Sequence, residues 1–263
     1  MQTPSLSRRE TGVLAWADEH RTDRVDTRDI GELLGGDIIA HKTLSSLTTK
    51  GLLDRVGRGI YVVRPLRAAG GPWMVSALVA VAHLMAGSTY YVGGRTALSL
   101  HHLTSQTYGA VVDVYVPRQR RQRMVAQATI VFHQVDEDLF TFGLDTRIVE
   151  KARVVISDPE RTLIDLLDRP RSLIGPRASC AIIPSVIDRI DVNKLVAYAT
   201  RWPKSSTRRR LGFLLEHAGV PKSKISPLVS SLGLARTITP LYPGSPVRGP
   251  IHPIWLVATG GEK

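Results

Sequence analysis

Hydrogen-bond donors and cationic side chains are concentrated in two short stretches of the sequence, residues 41–49 and residues 118–123. The first stretch combines hydroxyl groups with a lysine and a histidine, and the second holds four arginines within six residues. Such groups hydrogen-bond to phosphate oxygens and to base edges without the help of a cofactor. The predicted contacts to a polyanion are His41, Lys42, Thr43, Ser45, Ser46, Thr49, Arg118, Arg120, Arg121 and Arg123.

The first stretch belongs to a predicted helix that begins at Asp37 and ends at Lys50-Gly51. Asp37 offers a carboxylate to the free N–H groups at the helix start, and glycine takes the left-handed conformation that ends a helix. Ala40, Leu44 and Leu47 recur at helical spacing and predict the buried face. Most of the donors lie away from these apolar residues, so the pattern predicts a helix with one polar binding face.

A two-stranded hairpin is predicted directly after this helix. Its strands cover residues 52–53 and 60–63, and the connection between them carries Arg55 and Arg58. A donor-rich helix fits the major groove of DNA, and arginines at a hairpin tip reach phosphates or the minor groove. The segment therefore predicts a winged helix-turn-helix that binds double-stranded DNA, with a module for protein contacts as the alternative.

The arginines of residues 118–123 follow a predicted strand and Pro117, so they are expected in a loop. Neighbouring arginines repel one another unless an anion lies between them, so this loop either stays solvated or contacts phosphate groups. A second basic run, Arg208-Arg209-Arg210, begins a predicted helix, where cations interact unfavourably with the helix dipole. We expect this second run at the solvated surface, with anion binding as the alternative.

One arrangement resembles a catalytic site. Gly93-Gly94 lie at a strand-to-helix turn, and Asp113 lies on the strand that follows. That order resembles the nucleotidyltransferase arrangement, in which two carboxylates spaced by one residue hold metal ions. Here the second position is Tyr115, and Arg118 nearby would compete with a cation. The pattern favours a degenerate or merely similar arrangement, with a nucleotide-binding module as an alternative function.

No other pattern in the sequence predicts catalysis or metal binding. The eight histidines lack metal-ligand spacing, and the adjacent His101 and His102 would point about 100° apart on a helix. The single cysteine, Cys180, has no obvious general base in its segment. The phosphate-binding and nucleophile-elbow glycine motifs are absent from the sequence. We therefore expect a protein that is not an enzyme, with no catalytic residue, no cofactor and no metal ion.

The composition of the 263-residue chain is that expected of a cytoplasmic protein. Hydrophobic residues make up 43% of the sequence, an ordinary fraction for a globular protein. No apolar run approaches the roughly 18 residues of a membrane span, and the first residues lack the apolar core of a signal peptide. A single cysteine cannot form an internal disulfide. We expect no contact with a membrane.

The net charge of +12 favours polyanionic partners, and its distribution is uneven. Residues 1–67 hold 11 basic and 9 acidic residues, whereas the rest of the chain holds 24 basic and 14 acidic residues. The predicted recognition helix thus lies in a nearly neutral part of the chain. We expect this part to select the DNA sequence and the rest to supply much of the attraction to phosphates.

The sequence divides into two predicted domains of an α+β protein. Residues 1–66 are expected to form the winged helix-turn-helix, whose first helix starts with the capping-box motif Ser7-Arg8-Arg9-Glu10. Prolines and adjacent glycines between residues 64 and 72 predict the boundary. Residues 67–263 are expected to form a larger mixed α/β domain, in which a sheet precedes a set of helices.

Hydrophobic patterning places the remaining elements. A second helix of the first domain is expected from Asp26 or Thr27. In the second domain, predicted helices cover residues 73–85, 96–103, 157–167, 186–200, 207–217 and 225–232, and predicted strands cover residues 90–92, 111–116, 130–132, 146–150, 154–156 and 254–257. Ser157 is the predicted cap of its helix, and Glu160 is expected to close a capping box.

Four segments of the chain resemble the AbiEi family of antitoxins, the winged-helix partners of the AbiEii nucleotidyltransferase toxins. They are GLLDRVGRGIYVV at 51–63, YVGGRTALSLHHL at 91–103, SDPERTLIDLLDRP at 157–170 and RRRLGFLLEHAGV at 208–220. Their order and spacing carry the resemblance, which covers most of the chain. The sequence departs from the family pattern after Pro170, where residues 173–177 intervene, so the structure of residues 171–185 stays open.

This resemblance implies a transcriptional autorepressor that binds inverted repeats in the promoter of its own operon. It also implies that the protein counteracts a nucleotidyltransferase toxin without forming a stable complex with it. Positive surface on both domains is implied to contribute to DNA binding, in agreement with the charge distribution described above. Neutralisation by direct binding to the toxin is the alternative.

Overall fold

The computed structural model describes residues 5–65, 75–106, 108, 110–233 and 237–260. The first unit consists of three helices and a three-stranded antiparallel sheet of order β1-β3-β2, the arrangement of a winged helix. Its elements are α1 (Arg8–Glu19), β1 (Arg24–Asp26), α2 (Thr27–Leu34), α3 (Asp37–Thr49), β2 (Leu53–Gly57) and β3 (Ile60–Val63).

Local capping explains where the first two helices begin. The Ser7 hydroxyl accepts a hydrogen bond from the Glu10 N–H at 3.3 Å, and the Glu10 carboxylate accepts one from the Ser7 N–H at 2.6 Å, which confirms the capping box. Asp26 accepts from N–H groups in the first turn of α2. The predicted Asp37 cap is wrong, because the chain turns at Gly36 and Asp37 already lies in the helix, where its charge still suits the dipole.

Strand β1 is absent from the elements predicted from the sequence. It has three residues, of which only Val25 is buried, so it carries no recognisable alternation. It forms because it pairs with β3, where Val25 lies opposite Tyr61. Pattern analysis misses such a strand because its stability comes from a partner that is distant in sequence.

The second unit contains a six-stranded mixed sheet, a small three-stranded sheet and several helices, which confirms the α+β fold class. Its elements are α4 (Ala77–Leu84), β4 (Tyr91–Val92), α5 (Gly94–Leu100), β5 (Val111–Val116), β6 (Arg123–Val125), β7 (Ala128–Gln134), β8 (Leu144–Val149), β9 (Ala152–Ser157), α6 (Pro159–Asp168), α7 (Pro176–Ser185), α8 (Val192–Thr200), α9 (Ser205–His217), α10 (Lys222–Ser231), β10 (Thr239–Pro240), β11 (Arg248–Ile251) and β12 (Val257–Gly260). None of the described helices is both long and apolar enough to cross a membrane.

Most predicted elements of this unit are present with shifted ends. The predicted domain boundary at residues 66–67, and the start of the helix predicted for residues 73–85, lie outside the described residues. Segment 171–185, for which the sequence predicts no structure, forms a short 3-10 turn followed by α7. The last strand lies at Val257–Gly260 instead of residues 254–257, because Trp255 is part of a turn that packs against α9.

The six-stranded sheet has the order β6-β7-β5-β4-β9-β8 and separates two layers of the protein. β5 and β7 are parallel, as are β4 and β9, and the other neighbouring strands are antiparallel. Helix α4 covers one face, where Val79, Val114 and Ile156 are buried in one apolar cluster. The helices from α6 to α10 cover the other face and bury the larger core.

Helix α4 also covers the outer face of the winged-helix sheet. Tyr61 packs into the core formed with α1–α3, whereas its neighbour Val62 packs with Val56 and Val79 in the cluster beneath α4. Asp23, just before β1, forms an ion pair with His83 of α4, with 3.2 Å between Oδ1 and Nε2. The winged helix therefore shares a hydrophobic core with the second unit.

Asp158, rather than the predicted Ser157, caps α6. The Asp158 carboxylate accepts a hydrogen bond from the Arg161 N–H at 2.8 Å. The Ser157 hydroxyl instead lies 2.7 Å from the Thr162 hydroxyl inside the protein. Glu160 does not close a capping box, because its carboxylate accepts a hydrogen bond from the Asp191 N–H at 2.9 Å. The motif at 157–170 thus begins the helix one residue later than predicted.

Arg161 lies at the centre of the larger core and is fully buried. Its Nε donates to Asp165 at 3.1 Å, its Nη2 to the Tyr91 hydroxyl at 2.6 Å and its Nη1 to the Leu139 carbonyl at 2.5 Å. The guanidinium carbon also lies over aromatic rings, including that of Trp202 at 4.7 Å. This network ties α6 to the central strand β4 and to the connection before β8.

The Arg208-Arg209-Arg210 run points into the protein, which corrects the prediction of a solvated surface. Arg209 and Arg210 are buried, and Arg208 donates to a carbonyl at the end of α10 at 2.6 Å. Arg209 donates to the Trp255 carbonyl at 3.2 Å, and Arg210 donates to the Pro240 carbonyl at 3.0 Å. The C-terminal segment folds back over α9, so Arg209 and Arg210 satisfy its backbone carbonyls, whereas Arg208 satisfies one of α10.

Candidate nucleic-acid interface

Helix α3 presents one exposed face of mixed polar and apolar character. Its members are Ile38, His41, Lys42, Ser45 and Thr49. They recur every three or four positions, so their side chains form a single stripe along the helix. On the opposite side, Ala40, Leu44 and Leu47 are completely buried in the winged-helix core. The predicted polar face of this helix is therefore available to a partner.

Ile38 is the member of this face that the sequence prediction omitted. Its side chain is 74% exposed, which is unusual for a large aliphatic residue beside a polar stripe. Apolar contact with a thymine methyl group is one of the ways in which base pairs are distinguished in the major groove. The helical spacing of Ile38 from Lys42 and Ser45 is the signal that identifies it in the sequence.

Thr43 and Ser46 do not belong to the exposed face, which corrects two of the predicted contacts. Thr43 is only 7% exposed, and its hydroxyl donates to the Ile39 carbonyl at 2.9 Å. Ser46 is half-buried and donates to Glu10 at 2.8 Å. Thr43 lies four positions before the buried Leu47, and Ser46 lies three positions after Thr43, so both side chains turn toward the neighbouring helices.

Glu10 fixes α3 against α1. Its buried carboxylate accepts hydrogen bonds from the Lys50 ammonium at 2.7 Å and from the Ser46 hydroxyl at 2.8 Å, besides the Ser7 N–H. These interactions, with Lys50 as the largest contribution, lower the pKa of Glu10 to about 2, although burial opposes them. The direction in which α3 presents its exposed face depends on this buried ion pair.

We expect Glu10→Gln to lower the free energy of unfolding by about 2 kcal/mol at neutral pH, because the Lys50 ammonium loses its anion. Since the pKa of Glu10 is lower in the folded protein, this stabilisation is present above the unfolded pKa of about 4.3. It is lost as the pH falls through the folded pKa of about 2. Urea unfolding of both proteins across this pH range measures the effect.

The matched control for this prediction is Glu19→Gln, which neutralises an exposed carboxylate on the same helix. It should change the free energy of unfolding by less than about 0.5 kcal/mol at any pH. A difference between wild type and E10Q that stayed constant down to the lowest pH would contradict a buried ion pair at this position.

The wing presents two exposed arginines. Arg55 projects from β2, and its Nε donates to the Gly57 carbonyl at 3.2 Å. Arg58 lies in the two-residue turn between Gly57 and Ile60. Strand β2 is longer than predicted, so the turn is tighter, and the register of β2 against β3 shifts between Arg55 and Gly57. Both side chains are therefore accessible to a polyanion.

The Arg118–Arg123 loop connects β5 with β6, but its last residue, Arg123, already pairs with Ile130 as the first residue of β6, which corrects its prediction as a loop residue. Three of its arginines are exposed, namely Arg118, Arg121 and Arg123. Arg120 is half-buried, which corrects its prediction as a free phosphate contact, because its guanidinium donates to Met85 Sδ at 3.4 Å and to Ser88 Oγ at 3.5 Å. Arg120 therefore holds the loop against the end of α4 while the other three arginines project into solvent.

The end of α4 brings the wing and this loop together. Leu84, the last residue of α4, packs closely against Gly57 of the wing, where a Cβ atom would lie 3.0 Å from Leu84 Cδ1. The next residue, Met85, contacts Arg120 of the loop. The wing and the loop that carry the exposed arginines, which are far apart in the sequence, therefore both contact the same end of one helix.

The protein's own side chains fill the place of the predicted nucleotide site. Asp113 is fully buried, and its carboxylate accepts hydrogen bonds from the Arg95 N–H, the Arg95 guanidinium and His133 Nε2 at 2.8–3.0 Å. The Gly93-Gly94 turn packs directly on this strand, since a Cβ on Gly94 would lie 3.0 Å from Asp113 Oδ2. The glycines thus allow α5 to approach β5 closely.

Arg95, rather than the predicted Arg118, is the cation beside Asp113. Burial by itself raises the pKa of the Asp113 carboxyl, but the hydrogen bonds and charges of Arg95 and His133 outweigh it and leave the pKa lowered. The carboxylate is therefore ionised and neutralised within the protein. These residues fit a structural ion pair better than a cation site.

The remaining titratable groups singled out in the sequence have structural surroundings. His101 ends α5, where its Nε2 lies 2.6 Å from the Ser157 carbonyl and Arg147 donates to its Nδ1 at 3.0 Å. Cys180 is buried, and burial raises the pKa of its thiol to about 11, which disfavours the nucleophilic thiolate. Within the described ranges, no three His, Cys, Asp or Glu side chains are placed to hold a metal ion.

Comparisons with known proteins identify the fold. No protein-family model and no curated protein matches the chain. The crystal structure of the RV2827C protein from Mycobacterium tuberculosis is similar to this chain, with a TM-score of 0.68 and 14% sequence identity. The match covers 96% of this chain and 92% of that one, so the likeness in fold extends over both units.

Proposed function

We propose that this chain is a cytoplasmic DNA-binding repressor and antitoxin of the AbiEi type, without catalytic activity. The DNA-binding part of the proposal is carried by one observation: the exposed face of α3 is accompanied by exposed arginines on the wing and on the Arg118–Arg123 loop, around one end of α4. In this proposal α3 enters the major groove and contacts base edges, while the arginines contact phosphates of the same duplex.

The charge distribution supports different roles for the two units, with sequence selection by the first and phosphate binding largely by the second. Most of the net positive charge lies after residue 67, and the exposed arginines of the Arg118–Arg123 loop belong to that part. Lysines and arginines that neutralise phosphates release counterions and supply much of the affinity for any duplex. The shared core beneath α4 holds this basic surface in a fixed position relative to the wing.

The antitoxin part of the proposal is supported by the four sequence segments that resemble the AbiEi family. The segment at 51–63 forms the wing, and the segment at 157–170 forms α6 with the buried Arg161 network. In this proposal the protein represses its own operon at inverted repeats. It counteracts a nucleotidyltransferase toxin without forming a stable complex with it.

Removal of the polar groups on α3 tests sequence recognition. We expect the triple variant K42A/S45A/T49A to bind the DNA that precedes its own gene about 10- to 100-fold more weakly, since each base contact contributes about 1–3 kcal/mol. Its affinity for scrambled DNA of the same composition should change by less than about threefold, because phosphate contacts carry no sequence information. Fluorescence anisotropy at one fixed salt concentration measures both affinities.

The matched control for this experiment is K222A/S226A/S230A, which removes similar groups at helical spacing from the exposed side of α10. This control should leave both affinities unchanged, because α10 packs in the layer on the other side of the six-stranded sheet. An equal loss on both DNAs, or no loss on either, would show that α3 does not select the sequence.

The antitoxin role predicts a nucleotidyltransferase gene next to the gene of this chain, and that pair of genes is the material for a separate experiment. We propose that co-expression restores growth while the two proteins fail to co-purify. A stable co-purified complex would favour the alternative of direct toxin binding. The nucleotide-binding alternative is tested by calorimetry with Mg²⁺ and nucleoside triphosphates, in which the Asp113–Arg95 ion pair leads us to expect no heat of binding.

A further inference from the structure

We propose that two copies of this chain pair through strand β8, at one edge of the six-stranded sheet. β8 pairs with β9 along all six of its residues, from Leu144 opposite Ser157 to Val149 opposite Ala152, without a register shift. None of the described residues forms a strand on its other side. Alternate N–H and C=O groups of β8 therefore point outward, where they can pair with another strand.

The other edge strands of the described sheets carry features that discourage such pairing. β1, β6 and β10 have three residues or fewer. β2 and β11 contain register shifts, and β11 also contains Pro250. β8 is longer and regular, and it lacks proline. The contrast indicates that this one edge is kept open for a partner.

The exposed side chains of β8 are complementary to themselves. Asp145, Thr146, Arg147 and Ile148 are all exposed, and Ile148 is 62% exposed. Antiparallel pairing of two identical strands requires a two-fold axis, which makes the interface isologous. With the axis at Thr146, Asp145 lies opposite Arg147 of the second copy, and Leu144 lies opposite Ile148 of the second copy. An axis at Asp145 or at Arg147 would instead place like charges opposite each other.

This pairing has a geometric consequence that rests on the proposed function. A two-fold axis perpendicular to the sheet keeps the same face of each copy on the same side of the joined sheet. Because α4 and the winged helix cover one face, both recognition helices would lie on one side of the dimer in opposite directions. Two such helices related by a two-fold axis suit a DNA site made of inverted repeats.

Sedimentation equilibrium of the full chain without DNA tests the pairing independently of the DNA-binding proposal. We expect a reversible monomer–dimer equilibrium for the wild-type protein. Asp145→Arg should raise the dissociation constant by about tenfold or more, because it replaces two opposite-charge pairs by two like-charge pairs. The double exchange D145R/R147D should lower the dissociation constant again relative to D145R, since it returns an opposite charge to each pair, although it also removes the hydrogen bond from Arg147 to His101.

Arg248→Asp is the matched control, because it reverses a charge on the protected edge strand β11, and it should leave the dissociation constant unchanged. Thermal unfolding of each variant verifies that the fold is retained. A wild-type chain that stays monomeric at every soluble concentration would overturn the proposal, as would a dimer that D145R leaves intact. If the wild type is monomeric, the toxin co-purifies with it and D145R abolishes this co-purification, the edge is assigned to the toxin instead.

Discussion

Replacement of Arg118, Arg121 and Arg123 by alanine should weaken the binding of every DNA duplex on the order of 100-fold at physiological salt, if each arginine contributes about 1 kcal/mol. The loss should be equal for the promoter DNA and for scrambled DNA, because phosphate contacts do not depend on sequence. The slope of log affinity against log salt should fall by up to about 2.7 units, since each phosphate contact contributes about 0.9. Anisotropy titrations over a range of salt concentrations measure both quantities.

The control for this experiment must remove the same charge from elsewhere. K222A/K224A/R248A deletes three exposed cations from α10 and β11, which lie away from the wing. This control should leave the salt slope almost unchanged. If both triple variants lost the same affinity, the total charge of the protein rather than the Arg118–Arg123 loop would account for binding. Unchanged binding in the loop variant would remove the loop from the interface.

Arg161→Met should lower the free energy of unfolding by about 3–5 kcal/mol, which is the effect of removing one partner of a buried ion pair. Methionine fills a similar volume, but it leaves Asp165 buried without a cation and the Tyr91 hydroxyl and Leu139 carbonyl without their donor. Burial already raises the pKa of the Asp165 carboxyl, while Arg161 opposes this effect. Urea unfolding followed by circular dichroism measures the loss.

Arg201→Met provides the comparison for this second experiment. The Arg201 guanidinium also lies over an aromatic ring, that of Phe142 at 4.1 Å, but this side chain is exposed. Its replacement should lower the free energy of unfolding by less than about 1 kcal/mol. Equal losses in the two variants would mean that the aromatic contact, and not the buried ion pair, stabilises this core.

The parts of the fold that could be predicted from the sequence are those whose cause is local. The capping box at Ser7, the apolar stripe of α3 and the hairpin of the wing each depend on residues a few positions apart. Strand β1 and the short C-terminal strands depend on pairing partners that are distant in sequence. Such strands carry too few residues for alternation to be visible.

In the candidate site, too, contacts that depend on residues distant in sequence could not be predicted for single side chains. Helical spacing correctly placed Lys42, Ser45 and Thr49 on the exposed face of α3. It could not show that Ser46 is engaged by Glu10, because the packing of α1 against α3 decides that contact. Arg120 could not be separated from its three exposed neighbours, since its partners on α4 are set by the tertiary fold.

The burial of the Arg208-Arg209-Arg210 run was the largest difference between the sequence prediction and the structure. Charge alone places Arg208, Arg209 and Arg210 at the surface, because an isolated buried cation is strongly unfavourable. Backbone carbonyls of distant segments offset that penalty here. Only a structure in which α10 and the C-terminal segment pack against α9 supplies these acceptors, so no local pattern could have predicted them.

If the proposed DNA binding holds, the helix α4 that joins the winged helix to the sheet also limits how the DNA specificity can change in evolution. An exchange of the first 66 residues with those of another protein would separate Val56 and Val62 from the α4 residues with which they share a core. Recombination is thus a poor route to a new version of the proposed binding site. The exposed positions of α3 are absent from the buried apolar clusters, so we expect point mutations there to change the proposed DNA contacts while the fold stays intact.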